Sequence, residues 1–173
     1  MIQKDSGIIK RFTKKIEELY EILPKKYYTP DMLNKNCAAW TILSIKEIFQ
    51  IDDQYFQNMA SPLACVSGPC GAVAAGLMAV GIIEGGGKEQ KPLDQSKAAS
   101  AGMKFVKQFK KRFGSISCRE LTGLDLTTME DMKQYLKEKI WEKQCFMHVI
   151  GALEIILNSF KSTLKELEKN GQI

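Results

Sequence analysis

The stretch "LACVSGPCGAVAAGLMAVGIIEGGG", residues 63–87, decides the fold. From Ala60 to Ile83, 24 residues pass without a charge, which raises the question of a membrane span. Pro62 and Pro69 interrupt the run, so the helix that starts after Pro69 and reaches Ile83 has about 14 residues and a length of about 21 Å. A bilayer core of about 30 Å needs about 20 residues, so membrane insertion is excluded. What remains is a buried helix, stopped by "EGGG". Gly71, Ala72, Ala75, Gly76 and Ala79 leave one of its sides almost bare. Glycine inside a helix costs up to about 1 kcal/mol relative to alanine, so this face implies close approach of another backbone or of a cofactor.

Outward from this helix, the chain reads helical in both directions. Ile8, Phe12, Ile16, Leu19 and Leu23 recur at steps of three and four, predicting an amphipathic helix over 7–23 that ends at Pro24. A second helix runs from Cys37 to Phe49 behind the N-cap candidate Asn36. Residues 85–96, rich in glycine and carrying Pro92, read as a loop. A long helix follows to Phe113 with Gly102, Val106, Phe109 and Phe113 on one face, and Gly114 takes the C-terminal position. Short helical segments are expected from Cys118 and over 128–140. A last helix covers 144–168, with Val149, Leu153, Ile156, Phe160, Leu164 and Leu167 in its stripe. No run alternates with period two, and no repeat or linker is evident. The expected architecture is a single all-α domain over 1–173, a compact helical bundle of about six helices.

Composition agrees with this reading. With 173 residues, 45% of them hydrophobic and 26% charged, the chain can bury a core and is not disordered. A net charge of +5 gives only a weak preference for acidic partners. The segment "KFVKQFKKRFG" places Phe105, Phe109 and Phe113 at core spacing beside a solvated lysine edge, without a nucleic-acid motif. That edge would suit an acidic redox partner. "EGGGK" follows a helix and not a strand, so it is not a phosphate-binding loop. The N-terminus lacks an apolar signal region, so the expected location is cytoplasmic.

Five cysteines in a chain expected in the reducing cytoplasm need a chemical reason, and metal binding or redox chemistry is the usual one. Cys37, Cys70, Cys118 and Cys145 each fall in an expected first helical turn, Cys118 within "SCRE", where Ser117 and Glu120 have capping-box spacing. Unpaired N–H groups and the macrodipole at a helix N-terminus favour thiolate, the form that ligates metals and attacks disulfides. If the four helix starts converge, a metal or cluster would neutralise their mutual repulsion.

Taken together, "NCAA" at Cys37, "CGAVAAG" at Cys70, "FKKRFGSISCRELTGLDL" around Cys118 and the apolar helix after Cys145 resemble the redox-active protein family C_GCAxxG_C_C. The resemblance covers roughly residues 30–160, and residues 109–126 are its most specific part. A family glycine stands here as Ala75, with Gly76 one place later, and Cys65 has no family counterpart. Members typically lie near transporter or oxidoreductase genes, and a related domain in split-Soret cytochromes implies iron–sulfur capability.

The resemblance implies an electron carrier or redox accessory protein, not a stand-alone enzyme. Cys37, Cys70, Cys118 and Cys145 would be the ligands of an iron–sulfur cluster, approached by the helix at Gly71, Ala72 and Gly76. The alternatives are a thiol–disulfide protein and a metal-handling module serving a transporter or oxidoreductase. Zinc is disfavoured because no close cysteine pair such as C-x-x-C is present. Cys65 reads as a neighbouring thiol within reach of a resolving role. His148, one turn after Cys145, is a core histidine or a further ligand. A redox partner protein and a second copy of the chain are the partners to expect.

Overall fold

The apolar period of residues 8–19 builds the first helix of a computed structural model that describes residues 7–26, 36–53, 55–66, 68–85 and 92–172. Helix α1 (Ile8–Lys26) buries Ile8, Phe12, Ile16 and Leu19 and leaves its lysines and glutamates mostly outside. It continues two residues beyond Pro24, the expected stop. Only two residues follow it, so the bond and the clash that proline costs are confined to the final turn.

Helix α2 (Cys37–Phe49) is capped by Asn36, whose side chain accepts from the Ala39 N–H at 2.9 Å. Gln50 ends it in the left-handed conformation, φ 57°. The short α3 (Tyr55–Ala60) and a 3₁₀ turn over Ser61–Leu63 follow. Asn36 also donates from Nδ2 to the Ser61 carbonyl at 2.8 Å, tying this turn to the start of α2. Asn36→Ala should therefore lower stability by about 1 kcal/mol, measured by denaturant unfolding; a value indistinguishable from wild type would show that the cap carries no load.

Helix α4 (Gly71–Gly85) lies in the middle of the core, packed on α2, α5 (Pro92–Phe113) and α8 (Phe146–Ser159). Its bare face receives the ring of Phe105. A Cβ on Gly76 would lie 2.5 Å from Phe105 Cζ of α5, so the ring occupies the space that any larger residue would need. Likewise Gly151 of α8 lies under the ring of Phe113. The close approach that the small residues of α4 implied is thus to neighbouring helices, Gly76 meeting Phe105 of α5 and Gly71 meeting Cys37 and Ala38 of α2.

Helix α5 starts at Pro92, earlier than the loop expected over 85–96, with proline at the first helical position and Asp94 in the first turn. Both favour a helix N-terminus: proline needs no N–H there and the carboxylate meets the positive dipole end. Residues 86–91 of that loop lie outside the described residues. At its other end Gly114, φ 87°, follows Phe113 as expected. The remaining helices are α6 (Cys118–Thr122), α7 (Met129–Lys137) and α9 (Lys161–Lys169).

Among the described residues there are nine α-helices and no strand, so the chain is all-α with more helices than the six expected. The surplus comes from short pieces. Phe160 leaves helical geometry at φ −122° and splits the expected 144–168 helix into α8 and α9. A π-helical turn over Trp141–Cys145 leads directly into α8. No described helix is long and apolar enough to cross a membrane.

Candidate functional site

The cysteines are positioned by local backbone bonding as well as by helix packing. Pro69 and Ser117 pair as an isolated antiparallel bridge. The Cys70 N–H donates to the Ile116 carbonyl at 2.7 Å, and the Cys118 N–H to the Gly68 carbonyl at 3.1 Å. The segments entering α4 and α6 are thus tied together at Cys70 and Cys118. Cys37, the first residue of α2, approaches from the other side: a Cβ on Gly71 would lie 2.7 Å from Cys37 Sγ and 3.0 Å from the Ala38 nitrogen. Only glycine leaves room for that sulfur.

Cys118 is the first residue of α6, and its cap differs from the expected box. Ser117 Oγ accepts from the Glu120 N–H at 3.4 Å, but the Glu120 carboxylate turns to the Ser115 hydroxyl at 2.5 Å. Ser115 Oγ in turn accepts from the Ser117 N–H at 3.0 Å, so the return limb of the box is relayed through one more hydroxyl. Cys145 departs from the expected placement. It closes the π-helical turn inside a helical run that continues into α8, at φ −57°, and so does not occupy a free helix start. The apolar stripe of the last helix could not show this, because a π turn shifts register without breaking hydrophobicity.

All four family-type cysteines are buried, at 8%, 3%, 8% and 5% exposure for Cys37, Cys70, Cys118 and Cys145. They also lie within one another's electrostatic reach: Cys37 senses Cys70, Cys145 and Cys118, and Cys145 senses Cys70 and Cys118. Cys37 and Cys70 act most strongly on each other. Tyr135 of α7 hydrogen-bonds Cys145, Oη to Sγ at 3.3 Å. Tyr135, Cys118 and Cys145 share a small apolar cluster with Leu124, Leu126 and Ile140, apart from the main core that holds Cys37 and Cys70.

Charge divides unequally over this set. The Cys37 thiol donates to Cys70, and this bond, joined by His148 and by the Ala72 N–H, brings the Cys70 thiol down to about 5 against the pull of burial. Cys37 keeps its proton for the same reason and is held well above the usual thiol range. Burial pushes Cys118 up to about 11 and Cys145 up to about 12, the latter opposed by Tyr135. Helix-start placement was expected to favour thiolate at all four positions. It contributes at Cys70 through the Ala72 N–H, behind the Cys37 bond; at Cys118 desolvation outweighs it, and Cys145, without a free helix start, is raised chiefly by burial against Tyr135.

His148 is 6% exposed and packs beside the rings of Phe109 and Phe113, with centroids at 5.9 and 4.8 Å. It bonds Cys70, while its Nδ1 is buried without a partner. An unsatisfied buried polar atom costs about 1–3 kcal/mol, a cost that an apolar packing residue would avoid. Tyr135 was not singled out by sequence; it lies ten residues before Cys145, and only the break between α7 and the π turn brings the two together. Cys65 is exposed, in a left-handed conformation at φ 61°, and close enough to add its charge to those of Cys118 and Cys145. Ala72 offers its N–H to the site and Gly71 its missing side chain, whereas Gly76 faces Phe105.

Among the described residues, no three His, Cys, Asp or Glu side chains converge as ligands of one metal ion. The model of the family described as "Putative redox-active protein (C_GCAxxG_C_C)" matches residues 35–158. Comparison with curated proteins and with solved structures returned no match.

Proposed function

Because the chain belongs to the redox-active C_GCAxxG_C_C family, we propose that Cys37, Cys70, Cys118 and Cys145 form one redox centre that binds an iron–sulfur cluster and transfers electrons to a partner protein. The observation that carries this reading is the burial of all four thiols within one another's field. Three of these cysteines hold their protons, Cys37 through its hydrogen bond to Cys70 and Cys118 and Cys145 through burial, with the charge of Cys70 adding to each. A positively charged inorganic core would offset that charge and release those protons.

The donor set fits a cluster by its chemistry, since four thiolates are the usual protein ligands. A single tetrahedral ion with sulfurs at about 2.3 Å would require them within about 4 Å of each other, and no such group exists among the described residues. A cluster that takes one thiolate per iron, as a four-iron, four-sulfur core does, needs no such convergence. When bound, it would supply one-electron chemistry that thiols alone do not. The protein's own contribution is to present the sulfurs, exclude water and donate hydrogen bonds to them.

One observation favours a second reading, a dithiol. A thiol at Cys37 bonded to a thiolate at Cys70 is the pair that attacks and resolves a disulfide. In that reading Cys70 would displace a thiolate from a partner disulfide, and Cys37 would release the mixed disulfide with loss of its proton. Burial to 3% at Cys70 weighs against attack on a protein substrate. Protein purified without oxygen should be brown and contain iron with labile sulfide. Colourless protein with freely oxidised Cys37 and Cys70 would replace the cluster with the dithiol, and colourless protein with zinc would make it a metal-handling module.

A further inference from the structure

We infer that Tyr135 and His148 are positioning residues that set the redox potential of the centre by donating hydrogen bonds to two different cysteine sulfurs. The inference rests on the four-cysteine centre proposed above. Tyr135 Oη lies 3.3 Å from Cys145 Sγ, with both residues buried. The bond could run either way in isolation. Next to a ligating sulfur, which is a thiolate, only the phenol has a proton to give. His148 packs against Phe109 and Phe113, and its side-chain hydrogen bonding is, after Cys37, what draws the Cys70 thiol down. With Nδ1 lacking a partner, the bond to Cys70 falls to Nε2–H.

The two donors come from separate elements, α7 and α8, and reach separate sulfurs. Each draws electron density from its thiolate and so favours the form of the centre carrying more negative charge, which is the reduced one. Neither residue needs to change protonation during the reaction. Their sequence positions suit this role: the phenol belongs to the small cluster around Cys118 and Cys145, and the imidazole to the core around Cys37 and Cys70. Both halves of the centre then have one fixed donor.

The test uses Tyr135→Phe, His148→Phe, the double variant and His148→Gln, each purified without oxygen. Iron and labile sulfide are measured first, then the midpoint potential by optical titration. Each single Phe variant should keep its iron and shift the reduced-to-oxidised ratio about tenfold toward oxidised, which is 59 mV for a one-electron centre. The double variant should show the sum, since the sites do not share a partner. His148→Gln restores an N–H at the position of Nε2 and should recover most of the shift. Unchanged potentials at full iron content would overturn the inference while leaving the cluster intact. Wild-type protein without iron would instead refute the proposed cluster. The donor at Cys70 is then read from the Cys37–Cys70 disulfide equilibrated against glutathione: His148→Phe should shift that ratio about tenfold toward disulfide, and an unchanged ratio would overturn it.

Discussion

Cys70→Ser is expected to lose nearly all iron and labile sulfide from protein prepared without oxygen. Serine is a hard ligand, poorly ionised at neutral pH, and replaces one of four thiolates for a soft cofactor. The substitution separates ligation from folding. Cys70 immediately precedes α4 and accepts the Ala72 N–H, a capping role that serine fills well. The apo protein should therefore fold, while the thermal stability contributed by the cofactor disappears. Cys65→Ser is the control: the thiol is exposed, and iron content should stay near wild type. Loss of the centre from Cys65→Ser with retention in Cys70→Ser would invert the ligand assignment. If the wild type holds no iron, the same variant tests the dithiol, because Cys37 should then remain free to thiol labelling under oxidising conditions.

Gly76→Leu should be the most destabilising substitution on the bare face of α4. Even its Cβ would lie 2.5 Å from Phe105 Cζ, and Phe105 is fully buried. Overpacking of this kind typically costs about 1–3 kcal/mol, or a fall in Tm of about 2–12 °C for a chain of this size. Val80→Leu, also at a buried position of α4, adds one methylene and should cost much less. Because Gly76 meets an aromatic ring, the iron content per folded molecule should survive the change. Equal melting temperatures for the two variants would contradict the close packing of α4 on α5.

Much of this was readable from residue types alone. The uncharged run at 60–83 could not span a membrane because Pro62 and Pro69 cut it, and the structure forms a buried helix there. Asn36 and Gly114 marked helix boundaries because their chemistry is local: one side chain caps an N–H and one residue tolerates φ 87°. Pro92 misled for an equally local reason, being read as loop punctuation where it serves as the first helical residue. The last helix was read as continuous because apolar periodicity does not register a π turn at Trp141–Cys145 or a break at Phe160.

For the site, the ordered cysteines and the family they define were present in the sequence, and residues 35–158 match that family. Its electrostatics were not. Helix-start placement treated the four thiols alike, yet Cys70 falls to about 5 while Cys118 and Cys145 rise to about 11 and 12. The difference lies in partners drawn from distant parts of the chain: Cys37 and His148 on Cys70, Tyr135 on Cys145, and the Pro69–Ser117 bridge that brings Cys70 beside Cys118. The sequence by itself determined helix, core and cysteine order, because period, caps and motif spacing are properties of neighbours along the chain. Which sulfur carries charge, and which side chains donate to it, only the tertiary structure decided, because desolvation and hydrogen bonding depend on what folding brings within a few ångströms.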